Sequence, residues 1–130
     1  MSDTATVNGR AAQRLIDDRA ILARAVTDAL YAESGDRLAR HGARGRERCL
    51  EDMHFNVDHL IPAVDLGDPD LFGRYLQWLD DLLRARGVET RDVTRCLELL
   101  GDEVERRYAP DESRAIRDIL GASRRSLSRA

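Results

Sequence analysis

The sequence predicts an all-α protein, and three observations carry that prediction. Apolar residues recur at intervals of three and four rather than two along nearly the whole chain. Helix-start and helix-stop signals fall between the apolar stretches. The chain of 130 residues, 42% of them hydrophobic, suits one domain with a buried core.

The first helix is expected from about Arg10 to Ala32, with Leu15, Ile16, Leu22, Val26 and Leu30 among its apolar positions. Ser34-Gly35 interrupts it, and Asp36 to Arg40 adds a short turn. Gly42 and Gly45 loosen the chain before a second helix from roughly Arg46 to Leu66. Asp68-Pro69 is a restart, since Asp68 can cap the orphan N–H groups and Pro69 suits the first helical position. That third helix carries Phe72, Tyr75, Leu76, Trp78, Leu79 and Leu83 and stops at Gly87. Thr90 is the expected cap of a fourth helix through Val93, Cys96, Leu97, Leu100 and Val104 to about Tyr108. Pro110-Asp111 opens a short fifth helix through Ile116, Ile119 and Leu120. Residues 1–9 and 121–130 are expected to be flexible ends of a single domain spanning 1–130.

Composition narrows the function classes. Charged residues make up 35% of the chain, both signs are interspersed, and the net charge is -3, which argues against nucleic-acid binding. All 21 basic residues are Arg, so no Lys can form a Schiff base. No apolar run approaches the roughly 20 residues of a membrane span. The polar stretch Met1 to Gly9 lacks the features of a secretion signal, so a cytoplasmic location is expected. Cys49 and Cys96 are expected to be free thiols. The sequence also points away from catalysis: it has no Gly-rich phosphate loop, no closely spaced Cys and His, and no nucleophile with an evident base.

The informative stretch runs from Arg48 to Leu60. At about 100° per residue, Leu50, Met53, Val57, Leu60, Ile61 and Val64 form one apolar stripe. Cys49, Asp52, Asn56, His59 and Ala63 form a second stripe beside it. A thiol, a carboxylate, an amide and an imidazole along the edge of the core suit a helix lining a polar-headed ligand. The same row is what an ordinary helical flank turning to solvent presents. On the third helix Phe72, Tyr75 and Trp78 could line a flat π-system, or simply fill the core.

Arg48-Cys49-Leu50-Glu51-Asp52 resembles the Arg-Cys-x-x-Asp segment of phycobiliproteins, globin-fold proteins that carry linear tetrapyrroles. The likeness continues without a gap to Gly67-Asp68 and, after a helix of nearly equal length, to the turn at Gly87-Val88-Glu89. It covers roughly Leu22 to Tyr108. The chain is also similar to bilin-associated bacterial globins and to helical domains that accompany cobalamin-binding sensors, around Glu51-Asp52-Met53 and the Trp78 helix. Those groups often carry His where this chain has Asn56.

The resemblance implies a globin-like fold and a bilin ligand, biliverdin or phycocyanobilin, in a pigment carrier or light sensor. By the same resemblance Cys49 would attach or abut the chromophore. Asp52 would accept hydrogen bonds from pyrrole N–H groups, and Arg48, ahead of Arg44 and Arg46, would meet a propionate. Asn56, His59, Tyr75 and Trp78 complete the expected bilin site. A homodimer is expected because the apolar first helix lacks an obvious partner. Two other readings stay open: a ligand-free interaction domain working with a cobalamin-binding or signalling partner, and a haem sensor ligated by His59 or His54.

Overall fold

The structure, a computed structural model, describes residues 6–127. Its elements are five α-helices and one 3-10 turn, with no strand among the described residues. Helix α1 spans Val7–Leu38 and α2 spans Gly42–Leu66, with the 3-10 turn Ala39–His41 between them. Then follow α3 (Pro69–Ala85), α4 (Thr90–Arg107) and α5 (Pro110–Leu127). No helix among the described residues is long and apolar enough to cross a membrane.

The caps explain most boundaries. Thr6 accepts the N–H of Gly9 at 2.9 Å and starts α1 three residues before the expected point. At the expected interruption Ser34 leaves helical geometry, φ −129° and ψ 20°, yet the helix resumes to Leu38, so α1 is bent rather than broken. Gly67 ends α2 at φ +65°, and Asp68 N–H donates to Ala63 O at 2.9 Å, closing the orphan carbonyls of the last turn. Asp68 then caps α3 as expected, its side chain accepting from Asp70 N at 3.0 Å.

Other boundaries correct the sequence reading. Helix α2 begins at Gly42, not Arg46, because Gly42 at φ +70° turns the chain directly out of the 3-10 turn. Thr90 does not cap α4; Glu89 occupies the cap position in extended geometry, and its carbonyl takes the N–H of Asp92 at 3.0 Å. The fifth helix does not fray at Gly121. It runs to Leu127, with Ser123 and Leu127 buried, and Ser123 Oγ donates to Pro69 O at 3.0 Å. Of the ends expected to be flexible, residues 7–9 and 121–127 are helical, while 1–5 and 128–130 lie outside the described residues.

Every helix contributes to one core, with Leu22, Leu60, Phe72, Leu76, Leu100 and Ile116 fully enclosed. Helix α1 packs against α2, α4 and α5, so its apolar face, including Leu15, Val26 and Leu30, is covered within the chain. The reason given above for a homodimer therefore falls away. Ile16 and Ile21, on the outer side, are about half exposed.

Because Leu127 is 5% exposed, Leu127→Ala is expected to cost about 2 kcal/mol, the lower end for a buried Leu, in urea denaturation. An unchanged midpoint would mean that the last turn is not part of the cooperative fold.

Candidate functional site

Helices α2 and α4 face each other with their backbones apart: no Cα of one lies within 8 Å of a Cα of the other. The gap between them is a cavity of about 150 Å³ that opens to solvent. The bent end of α1 supplies Leu30, Tyr31 and Leu38 to its wall, and α3 supplies Leu79 and Leu83. From α2 come Arg48, Cys49, Asp52, Met53 and Asn56, and from α4 Asp92, Val93 and Cys96. Four of the seven site residues expected from the sequence, Arg48, Cys49, Asp52 and Asn56, thus border one cavity.

The other three, His59, Tyr75 and Trp78, do not border it. Tyr75 is buried behind it and donates its O–H to Asn56 Oδ1 at 2.6 Å. Asn56 Nδ2 in turn points to Met53 Sδ at 3.2 Å. Asn56 is therefore engaged by the core rather than held free for a ligand. His59 is exposed and stacks flat on Tyr75, with 4.0 Å between ring centroids and 8° between planes. Its Nδ1–H donates to Phe55 O at 2.8 Å. Trp78 lies beyond, 60% exposed, with its ring centroid 6.0 Å from that of Tyr75. The polar stripe of α2 consequently winds from the cavity at Cys49 and Asp52, through the core at Asn56, to solvent at His59. A straight row read on a helical wheel misses this, since the neighbouring helices cover only part of its length.

The cavity has a cationic mouth and an acidic wall. Arg44, Arg48, Arg86 and His41 ring the opening. Arg48 and Arg86 make no ion pair among the described residues, so both guanidinium groups are available to an anion. His41 sits at this opening because Gly45 lets it. A Cβ on Gly45 would fall 2.4 Å from His41 Cβ. Neither His54 nor His59 borders the cavity.

Asp52 is the acidic group best placed for a ligand. Its neighbour Asp92 is already occupied by Arg37, whose Nη1 donates to Asp92 Oδ2 at 2.7 Å. No described residue donates a hydrogen bond to the Asp52 carboxylate. Burial pushes its pKa above the ordinary carboxylate value, with Glu51 adding to the rise and Arg86 and Arg48 opposing it. The Cys49 thiol is held below its usual value, chiefly because Cys96 hydrogen-bonds to it, with burial opposing and Thr27 assisting. Cys49 Sγ lies 3.9 Å from Thr27 Oγ1.

No protein-family model matches this chain, and no curated protein does either.

Two outcomes follow from this geometry. Between the unfolded carboxyl value and the raised folded one, native Asp52 keeps a proton that the unfolded chain has lost, so stability falls as pH rises through that window. Asp52→Asn is expected to be more stable than wild type at neutral pH, and the gain should vanish at about pH 3, where both states are protonated. Urea melts at the two pH values check this; a variant less stable at neutral pH would mean that the carboxylate is stabilising. Tyr75→Phe leaves Asn56 Oδ1 buried without its donor and should cost about 1–3 kcal/mol. A loss of that size should appear in the same melts, whereas a neutral result would mean that water replaces the hydroxyl.

Proposed function

We propose that this protein is a ligand-binding helical sensor or carrier of globin-like type whose ligand is a linear tetrapyrrole, held at the cavity between α2 and α4. The observation that carries the reading is that Arg48, Cys49 and Asp52, the residues of the phycobiliprotein-like segment, border one cavity together. The chemistry suits such a ligand at each point. An acceptor without a protein donor waits at Asp52 for pyrrole N–H groups. Cationic Arg48 and Arg86 stand at the mouth for propionates, and an apolar lining serves the conjugated body. Cys49 is the thiol for a thioether in a covalent mode.

The cavity is smaller than the roughly 300–1,000 Å³ of pockets that enclose a drug-sized ligand. A linear tetrapyrrole therefore lies partly across the mouth, or enters as the exposed turn Arg86-Gly87 moves outward.

A second reading is a ligand-free interaction domain that works with a cobalamin-binding or signalling partner. The outward cluster of Phe55, His59 and Trp78 favours it, with Phe55 54% and Trp78 60% exposed. A haem sensor ligated by His59 or His54 gains no support, because neither residue borders the cavity.

Co-expression with biliverdin or phycocyanobilin separates these readings. The expected result is a red-shifted, intensified absorption band. Asp52→Ala should weaken binding about 10- to 100-fold, the equivalent of a charge-assisted hydrogen bond of roughly 1.5–3 kcal/mol. Pigment that survives acid-urea denaturation in wild type but not in Cys49→Ala would locate the covalent bond. No band with either pigment would overturn the tetrapyrrole reading and leave the interaction domain.

A further inference from the structure

Three sulfur-bearing residues line the cavity, and the tetrapyrrole reading uses them only in part. Cys49 and Met53 are one turn apart on α2 and border the cavity side by side. Cys96 borders it from α4, opposite them. Both cysteines are free thiols that line the same cavity from facing helices. Met53 is 1% exposed and Cys96 8%, so these donors are shielded from water.

The backbone spacing decides what the thiols can do. A disulfide ordinarily needs Cα atoms roughly 4.4–6.8 Å apart. Here α2 and α4 hold every Cα pair beyond 8 Å, so Cys49 and Cys96 cannot be joined directly without moving a helix. Both side chains nevertheless line one cavity, so a bridging atom, rather than a direct bond, is what can join the two sulfurs. Thiolates and thioethers prefer soft cations, and monovalent copper accepts low coordination numbers that two thiolates and a thioether can satisfy. Among the described residues no cluster of three His, Cys, Asp or Glu side chains competes as a harder site.

We propose that Cys49 and Cys96, with Met53 as a weaker third donor once its sulfur releases Asn56 Nδ2, form a binding site for a soft monovalent cation of the copper(I) class. Binding releases both thiol protons to solvent and puts one cation in their place, leaving a bis-thiolate complex with one net negative charge that bridges α2 to α4 across the cavity. No electron is transferred, and the site does not depend on pigment binding. Because Cys49 is shared, an occupied site excludes thioether formation at that residue.

The test is an anaerobic titration of the reduced protein with copper(I), supplied as its acetonitrile complex, against bicinchoninate as a coloured competitor. The expected result is one copper per chain, with a thiolate-to-copper charge-transfer band in the near ultraviolet. Cys96→Ala and Cys49→Ala should each lose at least 100-fold in affinity, and Met53→Leu about 10-fold, with unchanged helical circular dichroism. X-ray absorption of copper-loaded wild type, which needs no variant, should show sulfur-only coordination. Copper retained by the Cys49→Ala/Cys96→Ala double variant, or nitrogen and oxygen scatterers around the metal, would overturn the site. Rapid, complete loss of both thiols to an intramolecular disulfide under mild peroxide would overturn the spacing on which it rests.

Discussion

Helix α1 keeps α2 and α4 apart, and most of what is distinctive here depends on that separation. Ion pairs fix α1 to both of these helices. Toward α2, Arg19 grips both oxygens of Asp58, and Arg46 reaches Asp28 while lying over the Tyr31 ring at 4.9 Å. Toward α4, Arg37 grips Asp92, and Arg95 grips Glu33 at 2.6 and 3.1 Å. Three of these are two-point contacts that a planar guanidinium makes and an ammonium cannot, which gives the Lys-free composition a structural meaning. The exposed pairs among these add little stability singly. Their effect is to set register: with α1 clamped on both sides, α2 and α4 cannot close on each other, and the space between them persists.

A persistent gap changes the chemistry of whatever borders it. Asp52, half withdrawn from water and without a protein donor, is kept at a cost that a simple structural carboxylate would not carry. Asp92, at the same wall, shows the contrast: it is 5% exposed and fully engaged by Arg37. Of two carboxylates at one cavity, one is satisfied by the fold and the other is left without a protein donor. Behind them the Tyr75–Asn56 bond satisfies two buried polar groups at once and stiffens the floor of the cavity.

The fold class was legible because it rests on periodicity and caps, both local. Asp68 and Pro69 marked a helix start with no knowledge of what packs around them. The errors fell where tertiary contacts outweigh local signals. Gly121 looked like a terminator, but burial of Ser123 and Leu127 carries α5 through it. Thr90 looked like a cap, but Arg37 bonds to both Glu89 and Asp92, drawing the start of α4 against α1. Within the site, Arg48, Cys49 and Asp52 were readable because they lie within little more than one turn of α2. The roles of Cys96, His41 and Arg86 were not readable, because their place at the cavity follows from how α4, the 3-10 turn and the end of α3 close around it.

These two kinds of residue carry different weight in the likeness to phycobiliproteins. Gly67 and Asp68 have a full structural explanation here: one supplies a left-handed helix end, the other the cap that restarts the chain. Any helical protein turning in this way could converge on that pair. Arg48 and Asp52 have no such explanation, since neither has an ion-pair or hydrogen-bond partner that the fold needs. Cys49 has a partial one, in its contacts with Thr27 and Cys96. The functional content of the resemblance therefore rests on Arg48 and Asp52, where the fold alone gives no reason for the residue, while Cys49 is the point at which the proposed pigment attachment and the proposed soft-metal site would compete for one sulfur.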